Sequence, residues 1–166
     1  MDSTNTSFSV ISYNLHGINK GASFLHEMCD KNKYFYDCVC VQEHWLTLAN
    51  LSQISNFNKD YTFYGISAME SKLNTGLLRG RPFSGTGILL KNCFCKEVIL
   101  FDFSENYVVL VLKKAIIISI YLPCSTTKNR ADITSEILEK IKITISPFTD
   151  HYLICAITAH LLILIS

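Results

Sequence analysis

Apolar residues fall in short runs along this chain, and their spacing predicts alternating strands and helices. Phe8 to Tyr13 (FSVISY) is a β-branched and aromatic run, followed by a polar loop from Asn14 to Gly21, a short helix from Ala22 to about Lys31, and a second buried strand from Asp37 to Gln42 (DCVCVQ). Strand, helix and strand within roughly thirty residues is the pattern of a βαβ unit with parallel strands. Parallel strands end on the same side of their sheet. Asn14 and the pair Gln42-Glu43 therefore emerge on one rim, the place where α/β folds hold ligands.

Leu48 to Ile54 reads as helical and Tyr61 to Ile66 (YTFYGI) as a strand, and Ser67 to Ser84 is a loop containing Gly76, Gly80 and Pro82. Thr86 to Leu90, Glu97 to Phe101, Tyr107 to Leu112 and Ala115 to Leu122 then read as a meander of hairpin-linked antiparallel strands, stopped by Pro123. Arg130 to Ile143 is an amphipathic helix with Ile133, Ile137, Leu138 and Ile141 on one stripe, and Tyr152 to Ala156 returns as a strand. Mixed strands covered by helices indicate a single α/β sandwich domain. No internal repeat or second domain boundary is visible.

Composition narrows the function classes. The 166 residues are 49% apolar and 17% charged, which is globular, and the formal charge of +1 leaves no global basic field to attract nucleic acid. Any such binding is local. Seven cysteines without a disulfide-type spacing, behind a polar N-terminus with no apolar signal core, point to a reducing nuclear or cytoplasmic location. Cys38/Cys40 and Cys93/Cys95 are each two apart on strand-like runs and are read as buried thiols on one sheet face, with a shared metal site as the alternative. The apolar stretch Tyr152 to Ser166 is shorter than the ~18 to 20 residues that span a bilayer, so no membrane partner is expected, and no stable protein partner is indicated.

Two residues on the predicted rim carry the candidate chemistry. Glu43 directly follows a buried strand, which suits an oxygen ligand for a hard cation, although a solvated loop carboxylate has the same pattern. Asn14 has the same ambiguity, because an amide after a strand also makes an Asx turn before Gly17. Arg79 and Arg81 suit contacts to a phosphate backbone, or a solvated turn. Trp45 reads as a packing residue.

Four segments, in order, resemble the endonuclease/exonuclease/phosphatase superfamily, in particular the apurinic-like endonuclease domain of non-LTR retrotransposons. Ile11-Ser12-Tyr13-Asn14-Leu15-His16-Gly17 is similar to the opening motif and Val41-Gln42-Glu43-His44-Trp45-Leu46 to the Gln-Glu motif. Gly80-Arg81-Pro82-Phe83-Ser84-Gly85-Thr86-Gly87-Ile88-Leu89-Leu90 resembles the glycine-containing strand entry, and Ile118-Ser119-Ile120-Tyr121-Leu122-Pro123 the Tyr-x-Pro segment. The resemblance implies a four-layer α/β sandwich of mixed sheets flanked by helices and Mg²⁺-dependent cleavage of DNA phosphodiesters, with Mn²⁺ as a substitute. It further implies that Glu43 binds the metal, that Asn14 holds the metal and phosphate end of the site, and that Tyr121 sits near the scissile phosphate. Without it, Tyr121 is a strand-end aromatic capping the core. His16 and His44 match no position to which the family assigns general-base work.

The family's later Gly-Asp-x-Asn motif falls where this chain reads Tyr152-Leu153-Ile154-Cys155-Ala156-Ile157-Thr158-Ala159-His160, without the Asp or Asn, and its terminal Asp-His motif has no counterpart. The expectation is therefore an incomplete domain over residues 8–157 with an aberrant apolar tail over 158–166, and an inactive site, since general acid–base catalysis alone contributes roughly 10²–10⁴-fold in rate. Alternatives are a phosphatase or sphingomyelinase-like hydrolase of the same superfamily, or a DNA-binding remnant without catalysis.

Overall fold

A computed structural model describes residues 7–69, 73–76 and 84–157, together with the backbone of residues 160–163. The first unit is the expected βαβ: β1 (Val10–Asn14), α1 (Ile18–Met28) and β2 (Cys38–Gln42), with β1 and β2 parallel and Asn14 opposite Gln42. The helix starts at Ile18, four residues before Ala22. Gly21, a poor helix former, obscures that first turn in the sequence, yet it is required there because a Cβ would collide with Leu15.

Two strands complete the first sheet, β3 (Tyr61–Ile66) and β4 (Thr86–Lys91), in the order β1-β2-β4-β3. The second sheet is β5 (Val98–Ser104), β6 (Tyr107–Leu112), β7 (Ala115–Ile120), β8 (Tyr152–Ile157) and β9 (His160–Ile163), in sequential order. The expected meander is thus corrected. β4 does not pair with β5 but sits between β2 and β3, with Ile88 opposite Cys40, and the chain crosses to the other sheet through a 3₁₀ segment, Asn92–Glu97. Both faces of β4 are apolar and buried, so its own pattern carries no information about which sheet it joins. Cys93 and Cys95 lie in that crossover rather than on a strand, and Cys93 is exposed. Leu48 to Ile54 is a 3₁₀ turn, Leu48–Asn50, followed by one helical turn, Ser52–Ser55.

The layers run α1, first sheet, second sheet, then α2 (Arg130–Ile145), as an α/β sandwich. Here α2 denotes the long helix; the single turn Ser52–Ser55 is left unnumbered. Three apolar clusters cement them. Val39 and Val41 of β2 face α1 with Leu15 and Leu25, whereas Cys38 and Cys40 point into the seam between the sheets, against Ile88, Leu110 and Ile117. This period-two division explains why every residue of β2 is buried. On the far side Val109, Val111, Ile116 and Ile118 receive Ile137 and Ile141 of α2. Leu138, expected on that stripe, is 49% exposed, because one residue turns it about 100° away from Ile137.

An ion pair closes the end of the first sheet remote from Asn14. Lys91 Nζ lies 2.8 Å from Asp37 Oδ1 and 3.7 Å from the Phe35 ring centroid, while Asp37 Oδ2 accepts from the backbone N–H and hydroxyl of Ser9, each at 2.8 Å. Burial alone would raise the Asp37 pKa, but Lys91 and Ser9 outweigh it and hold the carboxyl below its ordinary value.

The division between core and surface predicts a measurable contrast. Ile117→Ala, at a fully buried seam position, should lower unfolding stability by about 3 kcal/mol, and Leu138→Ala by under about 0.5 kcal/mol, in urea titrations. Equal losses would place Leu138 in the core after all.

Candidate active site

The C-terminal ends of β1 and β2 are stitched into a rim by backbone hydrogen bonds that prolong their ladder. The N–H groups of Leu15, Gly17 and Ile18 donate to the carbonyls of Gln42 (2.8 Å), Glu43 (2.8 Å) and His44 (3.1 Å). Trp45 N–H donates to Ser84 O at 3.0 Å and brings in the entrance to β4. The backbone is locally strained at this rim: His16, Glu43, Trp45 and Ser84 all have φ between 47 and 60°. Left-handed conformations cost non-glycine residues roughly 1–2 kcal/mol each, and they persist where the surroundings over-determine them. Gly17, at φ 91°, sits directly under the Trp45 ring, so the tryptophan packs on the loop as its sequence context suggested.

This geometry turns Glu43 into a shared pocket of polar groups. Asn14 Nδ2 donates to Glu43 Oε1 at 2.9 Å, and Asn14 Oδ1 accepts the His16 backbone N–H at 3.0 Å. Asn14 thus makes the Asx turn read from the sequence and also holds the carboxylate. His16 Nδ1 lies 3.3 Å from Glu43 Oε2, with the imidazole 67% exposed and the carboxylate 17% exposed. Tyr121 follows β7 directly, and its N–H donates to Asn106 O in the β5–β6 turn at 2.7 Å. Its hydroxyl also interacts with Glu43, and the phenol pKa is raised by burial, then by the Glu43 charge and by Cys124. Asn14, Glu43 and Tyr121 therefore meet at one place. Arg79 and Arg81 lie outside the described residues.

Beneath the rim is a polar network that pattern reading did not find. Gln42 is fully buried, and its Nε2 donates to Ser119 Oγ of β7 at 3.0 Å and to Ser12 Oγ of β1 at 3.2 Å. Ser119 Oγ also pairs with Thr86 Oγ1 of β4 at 2.9 Å. The available signal was Ser119, a lone hydroxyl within a strand of isoleucines, since a buried polar group requires a partner.

His44 is buried and takes a structural role. Its Nδ1 accepts the Leu46 N–H at 3.0 Å, which leaves Nε2 as the protonated atom, donating to Ile66 O at 3.0 Å. Desolvation pushes its pKa down to about 4, against the partial support of the Ile66 carbonyl. Cys124, on the loop after Pro123, is an exposed thiol with its pKa lowered to about 7 by the hydroxyls of Thr126 and Thr127.

β8 runs parallel to β7 and ends at the same rim, with Ile157 opposite Ile120. Its last described residues, Ala156 and Ile157, bring neither carboxylate nor amide there. Among the described residues, no three His, Cys, Asp or Glu side chains form a metal-binding group, and no helix is long and apolar enough to cross a membrane.

No protein-family model and no curated protein matches the sequence. Solved structures do match the fold. An AP endonuclease from Archaeoglobus fulgidus superposes with a TM-score of 0.64 at 12% identity, over 91% of this chain and 56% of that one. A 3' phosphatase from Neisseria, NExo, bound to a product DNA hairpin, gives 0.64 at 9% identity, over 90% and 56%. TDP2 from D. rerio, complexed with a single-strand DNA product, gives 0.61 at 19% identity, over 92% and 60%. The chain has the endonuclease/exonuclease/phosphatase type of fold and spans less than two thirds of each of these proteins.

The His44 environment predicts a pH-dependent stability. Its pKa falls from 6.5 to about 4 on folding, so the unfolded chain binds the extra proton and stability rises with pH. The contribution is complete above about pH 6.5 and is lost as pH falls toward 4, up to roughly 3 kcal/mol. Urea midpoints measured from pH 7.5 to 4.5 should therefore fall more steeply for the parent than for His44→Gln; parallel curves would contradict the assignment.

Proposed function

We propose that the rim is the metal and phosphate end of a Mg²⁺-dependent DNA phosphodiester-cleaving site of the retrotransposon endonuclease type, retained in this chain without catalytic competence. The observation that carries the reading is Glu43, held in a left-handed conformation on the rim with its carboxylate fixed by Asn14 at 2.9 Å. The donor set fits the ion. Mg²⁺ keeps several waters and needs only one or two carboxylates together with substrate phosphate oxygens, and Glu43 is a partly exposed carboxylate among an amide, an imidazole and a phenol. When bound, Mg²⁺ or Mn²⁺ supplies Lewis-acid polarisation of a phosphoryl oxygen and stabilises charge on the leaving oxygen. Glu43 would hold it, Asn14 would orient that carboxylate, and Tyr121, a phenol protonated at neutral pH, would donate a hydrogen bond to a phosphate oxygen beside it.

DNA as the substrate class is supported by the fold and by two structural neighbours that hold DNA products. The retroelement assignment rests on the four motif segments, Ile11 to Pro123, in order. With a net charge of +1, DNA contact falls to local groups such as Arg79 and Arg81, so affinity is weak and declines as salt rises. The free thiols Cys29, Cys38 and Cys40 in the core fit a reducing nuclear or cytoplasmic setting.

The inactive reading is supported by what the described end of β8 brings to the rim. In-line attack needs a group to orient and deprotonate water, and β8 ends in Ala156 and Ile157 where such a group would be placed. The expected outcome is no nicking of supercoiled plasmid or abasic-site DNA above background in Mg²⁺ or Mn²⁺, with Glu43→Ala prepared in parallel. Nicking by the parent that disappears in Glu43→Ala would overturn the inactivity while supporting Glu43 as the ligand.

A further inference from the structure

The imidazole of His16 is a titratable side chain directly on Glu43. Its Nδ1 lies 3.3 Å from Glu43 Oε2. Two donors about 2.1 Å from a common ion are separated by roughly 3.0 Å at octahedral and 3.4 Å at tetrahedral angles. The observed spacing falls between these values, so a single cation can sit against both atoms without rearranging the rim.

Three constraints hold the backbone that carries the ring. The His16 backbone is left-handed at φ 47°, its N–H is donated to Asn14 Oδ1, and the next N–H, from Gly17, goes to the Glu43 carbonyl. The ring itself is 67% exposed, so a cation reaches it from solvent.

We infer that His16 Nδ1 and Glu43 Oε2 together bind one divalent cation, and that His16 biases the site toward borderline transition metals such as Co²⁺ and Ni²⁺ over Mg²⁺. The selectivity follows from ligand type. Neutral imidazole favours the later first-row ions, whereas Mg²⁺ prefers a shell made only of oxygen. The inference rests on the reading of Glu43 as a cation ligand.

The test measures metal binding without any requirement for turnover. Titration calorimetry with Co²⁺ and Mg²⁺ at pH 7.5 would compare the full chain with His16→Gly, His16→Asp and Glu43→Ala, all in a Cys124→Ser background that removes the nearby thiol. Glycine suits the left-handed position, so His16→Gly removes the ring without straining the backbone. His16→Gly should weaken Co²⁺ binding about tenfold or more and Mg²⁺ binding less than about threefold. His16→Asp should restore Mg²⁺ binding and lower the Co²⁺/Mg²⁺ affinity ratio below that of the parent. In Mn²⁺-loaded parent, electron spin echo spectra should show ¹⁴N modulation that is absent from His16→Gly. Co²⁺ affinity unchanged in His16→Gly, or no ¹⁴N modulation in the parent, would overturn the role of His16 while leaving a loss in Glu43→Ala to uphold the cation site. Binding unchanged in Glu43→Ala would overturn the cation site itself.

Discussion

Gln42 is fully buried between two β-sheets, and an amide in that position must find partners inside the protein or cost about 1–3 kcal/mol for each unsatisfied group. It finds them in Ser12 and Ser119, and Ser119 passes the link to Thr86. One side chain thereby reaches β1 of its own sheet and β7 of the other, while apolar packing in the seam is non-directional and fixes no particular alignment of the layers. Each partner lies close in sequence to a rim residue: Ser12 to Asn14, Gln42 to Glu43, and Ser119 to Tyr121. Satisfying the amide therefore sets where the two halves of the site meet.

The rim above the amide is expensive backbone made durable by hydrogen bonding. Four non-glycine residues adopt left-handed conformations there, and interlocking N–H to carbonyl bonds between the two loops hold them. His44 contributes from below by using both ring nitrogens to brace Leu46 and Ile66, which requires it to remain neutral. The same desolvation that makes it a good brace makes it an unsuitable acid or base near neutral pH. The groups of this rim that reach solvent are instead those around Glu43.

Those groups converge on one carboxylate. The first sheet supplies a carboxylate, an amide and an imidazole, and β7 of the second supplies a phenol, an arrangement suited to holding a cation and a phosphate oxygen. β8 supplies the rim with alanine and isoleucine. The polar groups of this rim thus come from the ends of β1, β2 and β7, and the described end of β8 adds none.

Much of this architecture was legible in the sequence because local rules govern it. The βαβ unit follows from strand and helix periods, and with parallel strands the shared rim of Asn14 and Glu43 follows as geometry. The place of β4 was not legible: Ile88, Leu89 and Leu90 are buried on both faces, and only the pairing of Ile88 with Cys40 assigns the strand to the first sheet. Gly21 concealed the first turn of α1 because its low propensity is overridden by close contact with Leu15. At the site, the sequence itself indicated a carboxylate and an amide together. The family resemblance also implied Tyr121 beside them, whereas that Gln42 ties the sheets and that His16 touches Glu43 are long-range facts. They depend on how two sheets dock and on the left-handed turn at His16, and both are decided by hydrogen bonds that form only once the layers have packed.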